Sequence, residues 1–279
     1  MINMPPMNLS DAEINEFIVK IAQITGNDFS EYSEKSFRRR IEKILSDRQI
    51  DIAKLSKSCE SSSQYMHQVI RDITVNTTEL FRDHGIWDEL YQYLDMNLRG
   101  RDSINVWSAG CSNGLELYST MILFNELGLL EKSNFYGTDL NSDMLAKARE
   151  AKYTYRKEED FFDNFRKIWK LQGKDVNVAE YFELNPREYS AKIVAPFPTM
   201  PILKQHNLTQ LEPAFDVQFD VIFCRNVLIY FNHDLQDRIF YYFHNLLRRR
   251  GILVLGIHEG MLGSISERYL KHGHIYIKH

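Results

Sequence analysis

The stretch that most limits how this chain can fold is residues 104–119, INVWSAGCSNGLELYS. It opens on Ile104, Val106 and Trp107, β-branched and aromatic residues suited to a buried strand. It then breaks into the small residues Ser108, Ala109, Gly110, Cys111, Ser112, Asn113 and Gly114, and resumes as a helix from Leu115 to Leu123. Strand, tight glycine turn and helix N-terminus form the first unit of a nucleotide-binding α/β domain. Glycine lets the backbone approach a ligand, and the free amides of the first helical turn face it. The spacing is G-x-x-x-G and not the dinucleotide G-x-G-x-x-G, so a strand–turn–helix with no ligand stays open at this point.

Two acids narrow the ligand. Residues 133–139, SNFYGTD, read as a second short strand whose last residue is Asp139. In folds of this type an acid so placed accepts hydrogen bonds from the hydroxyls of an adenosine ribose. Glu116 stands one turn past the glycines, where a phosphate-rich ligand would call for bare amides or a lysine instead. Adenosine joined to a cationic group is S-adenosylmethionine, whose sulfonium and ammonium are both positive. An acid also suits a helix start through the helix dipole, and that alternative stays open for Glu116.

Composition sets the bounds. A chain of 279 residues suits one large domain or a core domain with a small companion, and 44% hydrophobic content is ample for a core. The formal charge of −4 argues against a nucleic-acid partner, which calls for a basic face. Cys59, Cys111 and Cys224 are odd in number and far apart, as expected of reduced thiols in a cytoplasmic protein. No apolar run approaches the roughly 20 residues of a membrane span, and MINMPPMNLSDAEINEF lacks the pattern of a signal peptide. The expectation is a cytoplasmic monomer with no direct membrane insertion.

Residues 1–75 read as a helical domain. Ser10 and Glu13 form a capping box ahead of Ile14, Phe17, Ile18 and Ile21, which recur at helical spacing. Glu34 to Leu45 places Phe37, Ile41, Ile44 and Leu45 on one face and leaves Arg38, Arg39 and Arg40 elsewhere. These arginines are either a local basic patch or a solvated helix face. The serines at 61–63 mark a turn, and Tyr65 to Ile73 is helical again.

The remainder, 76–279, reads as the α/β domain, joined through 76–99. TVNTTELFRD combines Asn76, Thr77, Thr78 and Arg82, with Thr78 an expected helix N-cap and a cap or turn open for the Asn and Thr residues. A helix is expected from Ser142 to Ala151, and helical structure over 153–180. YFEL, EYSAKIV and PILKQHNL read as short strands, with prolines in APFPTMP, so a β-subdomain inserted over roughly 180–205 is expected. His206, Asn207 and Leu208 end the next core strand. Asp220 to Cys224 is a buried strand, ending in Arg225 and Asn226, a polar pair that meets either a ligand or a salt-bridge partner. A helix from His233 to Arg249, a strand from Gly251 to Gly256 and a terminal hairpin in RYLKHGHIYIKH complete the pattern. Strand alternation at His272 and His274, with no acid or Cys nearby, makes a metal site unexpected.

Taken together, FRRRI, ITVNTTELFRD, VWSAGCSNGLELYS, YGTDLNSDMLAKAREAKY, HNL and FCRNVLIYF resemble the bacterial chemotaxis receptor glutamate O-methyltransferases of the CheR type, in order and along essentially the whole chain. The resemblance implies an α/β, Rossmann-like S-adenosylmethionine-dependent methyltransferase with a small all-helical N-terminal domain and an inserted β-subdomain. It implies methylation of glutamate carboxylates on the cytoplasmic domain of a chemoreceptor, yielding methyl esters. By matching motifs, it implies cofactor contacts from Asn76, Thr78, Arg82, Glu116, Asp139, Asn207, Leu208, Arg225 and Asn226, with Gly110 in the glycine turn. Tyr230 matches the family's tyrosine near the transferred methyl, and Arg82 and Tyr230 are the expected catalytic pair. The substrate-binding candidates are Arg38, Arg39 and Arg40. The chain departs from the family in Leu115-Glu116-Leu117, where Glu-Glu-Pro is usual, in the proline-rich APFPTMP, and in GIHEGM, where Gly-His-Ser-Glu is commoner. Two other functions fit less of the pattern: a non-catalytic module binding cofactor and a signalling partner, and a methyltransferase for a small molecule or nucleic acid.

Overall fold

The computed structural model describes residues 9–74, 77–156, 160–194, 197 and 201–279. The chain divides into two compact units, Met1–Asn76 with Ile229–Gln236, and Thr77–Leu228 with Asp237–His279.

The first unit is helical. α1 (Asp11–Thr25) starts at the capping box, with Ser10 Oγ accepting from Glu13 N and Glu13 accepting from Ser10 N at 2.8 Å. α2 (Glu34–Arg48) buries Phe37, Ile41, Ile44 and Leu45. α3 (Ile52–Ser61) is capped by Asp51, and α4 (Ser63–Ile73) by Ser62, at the expected serine break. Residues 229–236 pack with these helices and not, as the sequence reading has it, with the rest of 76–279. The cause is local pairing. Ser33 N donates to Tyr230 O at 2.8 Å, Asn232 N donates to Glu31 O at 2.9 Å, and the Tyr32 ring meets Phe231 edge-on at 5.1 Å.

The second unit begins with α5 (His84–Asn97) and β1 (Ile104–Ala109), followed by α6 (Leu115–Glu126), β2 (Ser133–Asp139), α7 (Ser142–Glu150) and β3 (Lys152–Thr154). Next come α8 (Asp163–Leu171), β4 (Phe182–Asn185), β5 (Ser190–Ile193), β6 (Ile202–Gln205) and β7 (Phe219–Cys224). The chain closes with α9 (His233–Leu246), which enters this unit at Asp237, then β8 (Leu247–Leu255), β9 (Tyr269–His272) and β10 (Ile275–Lys278). Seven strands form one sheet in the order β6-β2-β1-β7-β8-β10-β9. The first five run parallel, as strand–helix alternation requires, and β10 and β9 close the edge antiparallel. β1 and β7 are buried at every residue. Their side chains alternate between two cores. Val106, Val221, Ile252 and Val254 share one cluster with Trp87 and Leu90 of α5, Ile122 and Phe124 of α6, and Phe165 of α8. Trp107 points the other way, with its ring 5.5 Å from Phe243 of α9 and 5.3 Å from Phe219.

Four expectations are corrected. Thr78 does not cap a helix: α5 starts only at His84, through Phe81 and Asp83 in left-handed conformations. Phe81 N is held by Ser119 Oγ at 2.9 Å and Leu80, Phe81 and Trp87 are buried, so core packing overrides the capping signal. Among the described residues of 153–180, Tyr153 and Thr154 are strand and only Asp163–Leu171 is α-helix. The β excursion is a separate sheet, β3-β5-β4, and it stops before 205: the core strand expected to end in His206, Asn207 and Leu208 is β6, which pairs parallel with β2 in the main sheet. Pro196 and Pro198 of APFPTMP lie outside the described residues. Lastly, the helix expected to run to Arg249 ends at Leu246. Leu247 is fully buried opposite Phe219, and Arg248 donates at 3.0 Å to Asp220, a 1% exposed carboxylate that needs a cation. Arg250, in a left-handed conformation, takes up the register shift that follows.

Candidate active site

Strand order reverses between β1 and β7: from β1 the chain steps outward through β2 and β6 on one side, and from β7 through β8 on the other. The crevice outside the C-terminal ends at such a switch point is where ligands of open α/β sheets bind. The turns leaving β1, β2, β6, β7 and β8 all gather there.

The turn after β1 needs its glycines. Gly110 and Gly114 have φ of 82° and 87°. A Cβ on Gly110 would lie 2.5 Å from Val227 Cγ2, so only glycine lets the β1 and β7 turns close up. Gly110 N and Cys111 N both donate to Thr138 O at 2.8 Å, which ties this turn to the end of β2.

Asp139 terminates β2. Its Oδ2 accepts from Ser112 N and its Oδ1 from Asn141 N, both at 2.8 Å. Each oxygen keeps a further lone pair, the arrangement a ribose diol needs. Burial raises its pKa, while the two amides pull the other way. His206 N donates to Asp139 O at 3.0 Å and so sets Asn207 and Leu208 beside the end of β2. Asn207 Oδ1 accepts from Thr209 N, and Leu208 is buried.

Glu116 lies on the first turn of α6. It accepts from Ser108 Oγ at 2.8 Å and from Arg225 Nη1 at 3.2 Å. Arg225 follows β7, and its side chain is 1% exposed. Its Nη2 donates to Asp83 Oδ2 at 3.0 Å and to Arg82 O at 2.7 Å, and its guanidinium lies 5.6 Å from the centre of the Trp87 ring. Arg225 therefore meets salt-bridge partners from within its own unit, with two carboxylates on one guanidinium. Arg82 Nε lies 4.0 Å from Asp83 Oδ2 as well, so the two acids are shared between two guanidinium groups. Burial lifts the Glu116 pKa, Arg225 and Ser108 oppose that lift, and the nearby Glu259 adds to it. Burial also pushes the Cys111 and Cys224 thiols well above their ordinary range, so neither offers a thiolate that would compete for an electrophilic methyl.

Gly110, Glu116, Asp139, Asn207, Leu208, Arg225 and Asn226 are thus gathered at the C-terminal ends of the parallel strands. Thr78 and Arg82 come from the preceding 77–83 segment, which is anchored there through Arg82 O. The Arg82 side chain is about one third exposed and donates to Thr77 O at 3.2 Å. Asn76 lies outside the described residues. Tyr230 and the Arg38–Arg40 run belong to the helical unit. Leu115 and Leu117, the departures flanking Glu116, are buried in the core. Two acids escaped the sequence reading, Asp83 and Glu259. An Asp next to Arg82 and a Glu shortly after a core strand were the only signals.

A family model described as CheR methyltransferase, SAM binding domain, matches residues 76–275. A Pseudomonas putida protein bearing the name Cher3 and a methyltransferase description is 34% identical over 265 residues, 93% of this chain and 93% of its own. Chemotaxis protein methyltransferases of Listeria innocua and Borreliella burgdorferi are each 29% identical, over 85% and 73% of this chain and 86% and 71% of their own. A cationic adenosine cofactor fits the carboxylates at these strand ends, and the match spans both. The chain belongs to the CheR methyltransferase family and is an S-adenosylmethionine-dependent methyltransferase.

Proposed function

We propose that this methyltransferase esterifies glutamate side chains on the cytoplasmic domain of a chemoreceptor. The names of its relatives suggest the setting, and the chemistry of the strand ends supports the substrate. The observation that carries the reading is that Glu116, Asp139 and Glu259 are each committed to two or more donors of the protein. Such carboxylates position: their oxygens are taken up in holding the site together. A glutamate substrate gives up no proton, because its carboxylate is already ionised at neutral pH. S-adenosylmethionine supplies a methyl group activated by its sulfonium. What remains for the chain is to align the substrate oxygen with that methyl and to exclude water.

In this reading Asp139 holds the ribose, and Glu116 the positive end of the cofactor. Gly110, Asn207, Leu208 and Asn226 supply backbone and side-chain contacts to the rest, with Asn76 and Thr78 from the joining segment. Arg225 keeps Glu116 in place. Arg82 steers a carboxylate, and Tyr230 offers its hydroxyl to the incoming oxygen or its ring to the sulfonium. The enzyme acts as a cytoplasmic monomer; no helix among the described residues is long and apolar enough to cross a membrane. Incubation with methyl-labelled cofactor and a receptor cytoplasmic fragment tests the proposal. Label on the receptor that is released by mild base is expected. A base-stable label rejects the ester. Saturable cofactor binding with no transfer favours a non-catalytic module instead.

A further inference from the structure

Glu259 follows β8 by four residues and makes no ion pair among the described residues. Its carboxylate is nonetheless saturated. Oε2 accepts from Gly256 N at 2.8 Å and Asn226 N at 2.7 Å, and Oε1 accepts from Val227 N at 2.9 Å and Leu228 N at 2.8 Å. Three of these amides are consecutive and belong to the turn that leaves β7; the fourth leaves β8. Asn226, the first of the three, has φ of 59°, in the left-handed region that asparagine adopts more readily than other non-glycine residues. A carboxylate accepting several backbone N–H bonds is a strong, directional anchor. The same turn begins with Arg225, holds Val227 against Gly110, and leads within two residues to Tyr230.

We propose that Glu259 is a positioning residue of the methyl-transfer site: by clamping the amides of 226–228 to the end of β8, it shapes the β7 turn that presents Asn226 to the cofactor and holds Arg225 against Glu116. The inference rests on the functional reading above. Glu259 touches no reacting atom. Its effect passes through the backbone it holds, and through its charge, which adds to the negative potential around Glu116.

The neutral isostere is the direct probe. In Glu259→Gln the amide NH2 faces two of the four N–H donors, so one pair loses its acceptor while side-chain volume is kept. A second variant perturbs the clamp without altering charge. A Cβ on Gly256 would lie 2.7 Å from Glu259 Oε2 and 3.2 Å from Asn226 N, so Gly256→Ala pushes the carboxylate out of place. The control is Asp220→Asn at the opposite end of β7, where a buried carboxylate accepts from Asn105 N at 2.9 Å and from Arg248. Titration calorimetry with S-adenosylhomocysteine on the full chain reads affinity, and thermal melts read stability. Both clamp variants are expected to bind at least ten-fold more weakly, whereas Asp220→Asn lowers the melting temperature and leaves affinity unchanged. Should one clamp variant fail to fold, the other carries the test. Wild-type affinity in a folded clamp variant overturns the proposal, as does an equal loss in Asp220→Asn. A wild-type protein that binds S-adenosylhomocysteine but transfers no methyl to receptor rejects the glutamate substrate while leaving the clamp measurement intact.

Discussion

Arg225 holds two carboxylates, Asp83 at 3.0 Å and Glu116 at 3.2 Å, in a setting where its own side chain is almost wholly buried. Arg225→Ala leaves two partly buried acids short of a cation, with Arg82 still 4.0 Å from Asp83, and is expected to destabilise the second unit by roughly 1–3 kcal/mol in denaturant unfolding. Glu116 links this cluster to pH. Because burial raises its pKa in the fold, the folded state holds the proton more tightly than the unfolded chain. Glu116 therefore subtracts stability above the raised pKa, and that penalty fades as pH falls towards the ordinary carboxylate range. Cofactor binding runs the other way, since a cationic group requires the ionised acid. S-adenosylhomocysteine should bind more weakly as pH is lowered from neutrality through that window. Glu116→Gln should bind about ten-fold or more weakly at neutral pH, on the scale of a charge-assisted hydrogen bond of roughly 1.5–3 kcal/mol, with its pH dependence flattened. Calorimetry across that range checks both. Tyr230→Phe should lower kcat without changing cofactor affinity, whereas Arg82→Ala should raise the KM for receptor. Unchanged kinetics of both variants under subsaturating conditions would take them out of the site.

At the scale of elements, local signals were legible wherever local physics decides. The Ser10–Glu13 box starts α1, and Ser10→Ala is expected to cost the helical unit about 1 kcal/mol in a thermal or denaturant melt. The β1–turn–α6 unit, the β2 strand ending in Asp139 and the terminal hairpin could likewise be read from residue type and spacing. What escaped was set by partners distant in sequence. The run Leu247 to Arg250 has helix-forming arginines and no stop signal, yet Phe219 and Asp220 draw it into β8. The core strand ending in His206, Asn207 and Leu208 could be read, but where the excursion before it stops could not, because pairing with β2 decides that 202–205 belong to the main sheet. In the candidate site, Glu116 and Asp139 drew attention from sequence because each lies within one strand–turn–helix step of the glycines. Asp83 and Glu259 did not: the first meets Arg225 across 142 positions, and the second collects amides 31 to 33 positions upstream, brought close by the parallel pairing of β7 and β8.

For the molecule as a whole, charge poses a problem. The chain carries a formal −4, and a glutamate-bearing receptor helix is acidic as well, so their long-range interaction is repulsive unless a local positive surface guides the encounter. The Arg38–Arg40 run is the proposed guide, but its members are not equivalent. Arg38 is committed inside its unit, donating to Leu9 O and pairing with Asp11 and Glu34, and Arg40 is half-buried with a buried Nε. Arg39 is exposed, which makes it the residue free to act on an approaching acid. Arg39→Glu should raise the apparent KM for receptor severalfold at low salt while leaving S-adenosylhomocysteine affinity untouched. The difference from wild type should shrink as salt rises, because exposed charges are screened over about 10 Å at 0.1 M. Lys167→Glu, on α8, makes the same change in net charge at another exposed position. If repulsion depended only on total charge, the two reversals would raise KM equally, and a guiding role for Arg39 would be lost. It would be lost as well if folded Arg39→Glu methylated receptor with wild-type kcat/KM at low salt. A rise confined to Arg39→Glu and abolished by salt is the expected result, since steering of this kind acts on the encounter and not on the bond that forms.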